Sequence, residues 1–260
     1  MPGDQRITTR YREADFLDAM MATVHEVGHA SYEAGLPAKW AGLPVGRSRN
    51  MCIHESQSLL FEKQILLSRP FGEYFSALVR EHLPAAASYS NDQIWAAMAV
   101  VQPGYIRVEA DEVTYPLHVL LRYEIESALI NDEIQPADIP QLWDQKMRDY
   151  LDLSTGDDHA RGCLQDIHWS DGTFGYFPSY TLGAVNASQL FSAYCQQHSD
   201  WTTDFAKGDT SHVRGWLADN IWSKASMLDS QQIMVSASGE NTGADYLLNH
   251  LRARYLEHAY

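Results

Sequence analysis

The sequence predicts a mostly α-helical protein that folds as one unit. Apolar residues recur at helical spacing along most of the chain, as at Phe16, Met20, Val24 and Val27. Glycine and proline residues stand where these apolar patterns end. Strand-like patterns are few, and residues Gly104–Val108 form the best candidate for a strand. No shift in composition marks a boundary, so we expect a single domain over residues 1–260.

The first helix is predicted over Glu13–Ala34, because Gly35 and Pro37 follow it and stop a helix well. The next stretch, Ala38–Met51, is rich in glycine, proline and arginine and predicts a loop. A second helix is expected over Ile53–Ser68, since a proline stands two residues beyond it.

The rest of the chain also shows helical patterns. Asn91 is a good cap for the predicted helix Asn91–Val101. Pro116 is expected to kink a longer helix over Glu109–Ile130. The other helices are predicted at Gly72–His82, Pro140–Leu151, Tyr176–Gln197, His212–Leu228 and Ala244–His258.

Composition excludes several functional classes. The formal net charge of −15 makes nucleic acid an unsuitable partner, because phosphate binding needs a basic surface. No apolar stretch approaches the ~20 residues of a membrane span, and the charged N-terminal residues lack the apolar segment of a signal peptide. The three cysteines are widely spaced and form no CxxC pair, which favours a reducing compartment. We therefore expect a cytoplasmic protein without a nucleic-acid or membrane partner.

The main chemical signal is the HExxH motif formed by residues 25–29. On a helix, His25 and His29 lie four residues apart on one face, so both imidazoles can bind one metal ion. Glu26 can then act as general base for a metal-activated water. The small Gly28 within the motif indicates a close approach of ligand or backbone. The alternative is a helix that carries two histidines by chance.

A catalytic zinc site needs a third protein ligand and one open position. Downstream candidates are Glu33, His54 and Glu55. Glu33 lies a full turn past His29 on the same helix, so a supporting role is preferred for it. His54 and Glu55 open the next helix, after a loop long enough to fold that helix back, and either could bind the metal.

Together with HExxH, four further motifs resemble those of the carboxypeptidase Taq family of metallocarboxypeptidases. They are DQRIT at residues 4–8, HESQS at 54–58, IRVEAD at 106–111 and GCLQDIHW at 162–169. The resemblance implies that Glu55 is the third metal ligand. It also implies a helical zincin-type metallopeptidase fold, similar to that of angiotensin-converting enzyme, over a single catalytic domain.

The family resemblance further implies a zinc cofactor, with cobalt as an alternative, and the release of C-terminal amino acids from peptides. The expected partners are a peptide with a free C-terminus and a second copy of the chain in a homodimer. Family members are about twice this length, so we expect a C-terminal catalytic half without the N-terminal half. The competing hypothesis is a catalytically impaired, truncated metal-binding paralogue that acts as a scaffold or dimer partner.

Other polar residues are candidates for substrate contacts. Arg107 is the first choice to bind a terminal carboxylate and Arg6 the second, with a structural ion pair as the alternative for each. His168 and Tyr176 are expected to donate to the oxyanion of the tetrahedral intermediate, and Tyr180 is the reserve for Tyr176. A packed aromatic ring is the alternative for Tyr176.

A carboxylate commonly supports a metal-binding histidine through the other ring nitrogen. The sequence does not identify that carboxylate. Asp166, Asp111 and Glu109 are expected to be such supporting groups or helix caps.

Overall fold

The computed structural model describes residues 3–12 and 15–257. Over these ranges the regular structure is helical, and the only β-type pairing is an isolated bridge between Arg12 and Asp15. The helices are α1 (Phe16–Gly35), α2 (Met51–Leu59), α3 (Arg69–His82), α4 (Asn91–Met98), α5 (Tyr115–Ile130), α6 (Ile139–Leu151), α7 (Pro178–Gln197), α8 (Trp201–Phe205), α9 (Ser211–Asn220), α10 (Ser230–Ser238) and α11 (Asp245–Tyr255). A π-helical segment, Leu60–Leu66, continues directly from α2.

The predicted strand at Gly104–Val108 is wrong. Residues Arg107–Glu109 form a short 3-10 turn instead. The backbone N–H of Arg107 donates to the side chain of Gln165 at 2.7 Å, where a strand would need a partner strand.

The prediction for α5 has the right C-terminal end and the wrong start. Asp111 accepts hydrogen bonds from the backbone of Val113 and Thr114, both at 2.9 Å, and so ends the preceding loop. Helix α5 then begins at Tyr115, which places Pro116 in the first turn. Proline is tolerated there because the first-turn N–H groups have no helical partner, so Pro116 does not kink the helix. The N-cap residue of α5 is Thr114, which makes no side-chain cap hydrogen bond, so the role expected of Asp111, a supporting group or a helix cap, stays a prediction.

The C-terminal region contains shorter helices than the sequence predicts. Helix α9 ends at Asn220 and not at Leu228, and the chain turns at Ala225 with a φ of 48°. Helices α8 and α10 were not predicted, and a capping box between Asp229 and Gln232 fixes the start of α10. The predicted helix ends at residues 13 and 258 lie outside the described residues.

The chain divides into two compact units. One consists of Met1–Ala99 and Leu182–Tyr260, and the other of Val100–Thr181. The single catalytic domain expected over residues 1–260 stays a prediction.

The first unit is built around the crossing of α1 and α2. A β-carbon at Gly28 would lie 2.5 Å from the carbonyl oxygen of Gln57 and from the α-carbon of Ser58. Only glycine permits this approach, and the close backbone contact expected at Gly28 is confirmed. Beneath the crossing lies an apolar core that includes Tyr32 and Ile53, both without exposed surface.

The second unit packs α5 against α6. Leu121 and Ile125 of α5 meet Trp143 and Met147 of α6, and all four are buried. The buried Arg122 also belongs to this unit and pairs with Glu126 at 2.7 Å. Among the described residues, no helix combines the length and apolar character that crossing a membrane requires.

Candidate metal centre

The HExxH helix and the helix after it bring three ligand groups together. His25 and His29 project from α1, and Glu55 projects from α2. Their ligand atoms all lie within 4.8 Å of one another. Glu55 Oε2 is 3.5 Å from His25 Nε2 and 3.6 Å from His29 Nε2. A single cation can therefore contact all three side chains.

Glu55 is held from two sides. The Ser58 hydroxyl donates a hydrogen bond to Glu55 Oε2 at 3.0 Å. Gly183 of α7 lies against the other side, where a β-carbon would come within 2.5 Å of the Glu55 β-carbon. Glu55 is only 5% exposed, so its carboxylate has little freedom to leave the site.

His25 is supported by a carboxylate that the sequence analysis missed. His25 Nδ1 lies 2.8 Å from Glu62 Oε2, within the π-helical segment. Since a carboxylate only accepts, Nδ1 donates to Glu62, and Nε2 is left as the nitrogen that could bind a metal once it has lost its proton. The signal that could have identified Glu62 is a lone acidic residue in the apolar run LLFEKQILL.

His29 has a different support. Its Nδ1 lies 2.6 Å from Nδ1 of His54, and His54 Nε2 lies 2.9 Å from Glu33 Oε1. The two residues that were weighed as alternative third ligands thus form a chain that ends at a ring nitrogen of His29.

The charges around the site set opposite protonation preferences for the two histidines. Burial alone would lower the pKa of His25, but hydrogen bonds and charges from Glu55 and Glu62 raise that pKa to about 10. Burial lowers the pKa of His29 to about 4. Without a metal, a proton on His25 therefore balances the two carboxylates, and His29 offers a neutral Nε2.

Glu26 is half-buried on α1, one position after His25. In the described part of the chain its carboxylate has no hydrogen bond or ion pair. The carboxylate is thus available for a proton transfer.

The donor set fits a divalent cation. It offers two imidazole nitrogens and one carboxylate oxygen, the combination found in catalytic zinc sites. Glu55 and Glu62 are both buried, and buried carboxylates are retained mainly where a cation compensates them. Lys63, 2.6 Å from Glu62, supplies only part of that compensation.

In the second unit, Arg107 is already paired. Its guanidinium donates to Asp166 with a shortest distance of 2.7 Å and also to the hydroxyl of Tyr115. Burial alone would lower the pKa of Arg107, but the hydrogen bond with Asp166 raises it. The ring of Tyr180 packs against the guanidinium, whose central carbon lies 4.7 Å from the ring centroid.

The other predicted residues of this unit lie close to one another. His168 Nε2 is 3.3 Å from the hydroxyl of Tyr180, and the His168 and Tyr176 ring centroids are 5.5 Å apart. Burial lowers the pKa of His168, which favours a neutral ring. The structure thus brings His168, Tyr176, Tyr180 and Arg107 into one cluster within this unit.

A buried ion pair supports the loop that carries His168. Glu126 accepts from Arg122 and also, at 2.8 Å, from the backbone N–H of Gly175. The Arg122 guanidinium lies over the ring of Trp169, 3.2 Å from its centroid. These contacts fix both ends of the segment from Trp169 to Gly175.

Arg6, the second predicted substrate contact, is exposed. It forms an ion pair with Asp4 at 2.9 Å, and its side chain is 83% exposed. The pairing of Arg6 with Asp4 thus corresponds to the ion-pair alternative.

The fold and the site define a helical protein with an HExxH centre that a glutamate of the following helix completes. The chain belongs to the carboxypeptidase Taq (M32) metallopeptidase family, whose model matches residues 1–255. The family prediction is confirmed.

Characterised relatives of similar sequence agree with this assignment. The chain is 39% identical over 254 residues to thermostable carboxypeptidase 1 of Thermus thermophilus and 38% identical over 254 residues to carboxypeptidase 1 of Bacillus subtilis. These alignments cover 98% and 97% of this chain and 50% of each relative. The chain thus spans about half the length of the curated relatives it matches.

Solved structures confirm the predicted helical fold class. Metallocarboxypeptidase 1 of Trypanosoma cruzi superposes with a TM-score of 0.93 at 37% identity, covering 96% of this chain and 51% of that protein. The M32 carboxypeptidase of Deinococcus radiodurans gives a TM-score of 0.93 at 34% identity, covering 97% of this chain and 51% of that one.

Proposed function

We propose that the chain is the catalytic part of a metallocarboxypeptidase that releases C-terminal amino acids from peptides. The observation that carries this proposal is the convergence of His25, His29 and Glu55, with Glu26, whose carboxylate has no partner among the described residues, on the same helix as the two histidines. The names of the relatives support the substrate class, a peptide with a free C-terminus.

Zinc is the proposed metal, with cobalt as the alternative, because two imidazoles and one carboxylate suit either ion. A bound zinc ion lowers the pKa of a water molecule and polarises a carbonyl group. His25, His29 and Glu55 hold the ion in this proposal. Glu26 takes the proton of the attacking water on its carboxylate and later passes it to the leaving amine.

The residues of the second unit have supporting roles in the proposal. Tyr176, with Tyr180 as the alternative, and His168 are proposed to donate hydrogen bonds to the developing oxyanion. Arg107 or Arg6 is proposed to bind the terminal carboxylate of the peptide. Arg107 would have to exchange a bond with Asp166 or Tyr115 for this, because both already occupy its guanidinium.

A homodimer and a cytoplasmic location complete the proposal. The excess of acidic residues, 34 against 19 basic residues, argues against a nucleic-acid partner.

The test is a hydrolysis assay with zinc-loaded protein on matched peptides with free and amidated C-termini. We expect stepwise release of amino acids from the free peptides only. Glu26→Gln is the matched variant, because it keeps the metal ligands and removes the base, and it should bind zinc normally while turnover falls ~100-fold or more. Internal cleavage of amidated peptides would indicate an endopeptidase, and a zinc-loaded chain without hydrolysis would indicate the impaired paralogue.

A further inference from the structure

We propose that His54 and Glu33 are positioning residues that fix His29 in the tautomer whose Nε2 is free to bind the metal. The inference rests on the metal site of the proposed function and assigns two further residues to it. Neither residue contacts the metal in this proposal, and both act through His29.

The geometry is a continuous chain of close polar contacts. Nδ1 of His29 lies 2.6 Å from Nδ1 of His54, and Nε2 of His54 lies 2.9 Å from Oε1 of Glu33. The buried Tyr32 packs against the His54 ring, with centroids 5.2 Å apart. Because the Tyr32 hydroxyl accepts from the backbone of Arg49 at 3.0 Å, this aromatic support is itself fixed.

The direction of the hydrogen bonds follows from the chemistry of Glu33. An ionised carboxylate only accepts, so Nε2 of His54 must carry the hydrogen that faces it. A neutral His54 then presents a lone pair at Nδ1, and His29 must donate its own hydrogen there. A neutral His29 with its hydrogen on Nδ1 has none on Nε2, which is the nitrogen that faces Glu55.

The reverse direction is unfavourable while Glu33 is ionised. If His54 donated from Nδ1 to His29, a neutral His54 would turn its Nε2 lone pair toward the Glu33 carboxylate. His29 would then carry its hydrogen on Nε2 and could not bind a metal through that atom. The tautomer of His29 therefore depends on the carboxylate of Glu33, which it reaches through two successive hydrogen bonds.

The two metal-binding histidines have unequal supports. His25 contacts Glu62 directly, and the Glu62 side chain is 12% exposed. His29 reaches Glu33 only through His54, and the Glu33 side chain is 42% exposed. Solvent screens an exposed charge more strongly, so Glu33 acts mainly by setting the hydrogen positions.

Three substitutions test the inference in the full chain. Glu33→Gln is the sharpest, because its amide can either donate to or accept from His54 Nε2 and so removes the preference for one direction. His54→Phe keeps an aromatic ring on Tyr32 and removes the acceptor for His29. Glu33→Asp keeps a carboxylate acceptor for His54 and should therefore retain part of the support for His29. The control is His212→Gln on α9, which breaks a histidine–carboxylate pair of 2.8 Å with Asp204 outside the site.

The readouts are zinc affinity, by competition with a chromophoric chelator, and the visible absorption spectrum of the cobalt-loaded protein. We expect Glu33→Gln and His54→Phe to weaken zinc binding ~10- to 100-fold and to alter the cobalt spectrum, as the loss of outer hydrogen bonds does. Glu33→Asp should bind zinc more tightly than Glu33→Gln, and His212→Gln should match the unsubstituted protein. Unchanged affinity and spectrum in both Glu33→Gln and His54→Phe would overturn the inference.

The measurements separate this inference from the proposed function. A chain that binds no zinc overturns both the metal site and its supports. A chain that binds zinc and releases no amino acid overturns the catalytic proposal alone, and the variant affinities still decide the role of His54 and Glu33. Because Glu33 is exposed, we expect its variants to fold like the unsubstituted chain.

Discussion

Gly183 of α7 and Glu55 of α2 are in direct contact, and a β-carbon at position 183 would lie 2.5 Å from the Glu55 β-carbon. The same added atom would lie 3.2 Å from the Glu55 carbonyl carbon. A helix that is distant in the sequence thus forms the wall behind Glu55, the proposed third ligand. The position of the Glu55 carboxylate therefore depends on Gly183, a residue without a side chain.

Gly183→Ala should therefore weaken metal binding without removing a ligand. The added methyl group must displace Glu55 or α7, at a cost of about 1–3 kcal/mol in the free energy of unfolding. Zinc affinity, measured by chelator competition, should also fall, because the added methyl group displaces Glu55. Gly215→Ala on α9 is the matched control, because a β-carbon there meets no atom within 4 Å. Zinc binding by Gly183→Ala as tight as that of the Gly215→Ala control would contradict this explanation.

Glu55→Ala and Glu33→Ala should differ strongly in metal affinity. In the proposed site Glu55 offers an oxygen to the metal, whereas Glu33 lies at the end of a hydrogen-bond chain. We expect Glu55→Ala to weaken zinc binding well beyond the ~10- to 100-fold typical of an outer support. Isothermal titration of both variants gives the ranking, and the reverse order would reject Glu55 as the third ligand.

Glu126→Gln should destabilise the chain through the buried Arg122. Arg122 has no exposed surface, so its charge is left uncompensated when the carboxylate becomes an amide. Breaking such a pair costs about 3–5 kcal/mol, which urea denaturation would show as a lower midpoint. Glu124→Gln, two residues earlier on α5, breaks a partly exposed pair with Lys146 and should cost less than about 1 kcal/mol. Equal costs for the two variants would contradict the role of burial.

The buried His118 should make stability depend on pH. Burial lowers its pKa from 6.5 to about 4, so the unfolded chain binds the proton more tightly than the folded chain. The contribution of His118 to the free energy of unfolding is therefore fully present above pH 6.5. It is lost as the pH drops toward 4, by up to about 3 kcal/mol. Urea denaturation between pH 7.5 and 4 measures this loss.

The variant His118→Gln provides the comparison for that pH series. It removes the titrating group, so its stability should fall less between pH 6.5 and 4 than that of the unsubstituted chain. His159→Gln is the control, because it removes an exposed histidine of the same unit. An identical pH dependence in the His118→Gln variant would exclude His118 as the cause.

The convergence of the three proposed metal ligands could be predicted because its signal is local. HExxH places His25 and His29 on one helical face, and the family motif at residues 54–58 identifies Glu55. Gly28 could be recognised as a site of close approach, and the contact with Ser58 bears this out. The helix starts were harder to predict, because the start of α5 depends on which backbone N–H groups donate hydrogen bonds to Asp111.

Which ring nitrogen each supporting residue reaches could not be predicted, because this depends on how α1 and α2 cross. In the sequence His54 is a plausible ligand and Glu33 a plausible supporting carboxylate, and only the crossing turns His54 toward a ring nitrogen of His29 and Glu33 toward His54. Glu62 contacts His25 from within a π-helical segment, which has no simple sequence signature. Arg107 has the residue type expected for a carboxylate anchor, but its pairing with Asp166 depends on residues far apart in the sequence.

The π-helical segment Leu60–Leu66 makes the length of this stretch as important as its composition. Its wider turns hold more residues than an α-helix, and each residue of an α-helix corresponds to a rotation of about 100°. Deleting one residue between Glu55 and Glu62 would therefore swing Glu62 away from His25, even if every remaining side chain were kept. In an alignment of relatives, substitutions should be common at the exposed positions near this segment, while insertions and deletions within it should be rare.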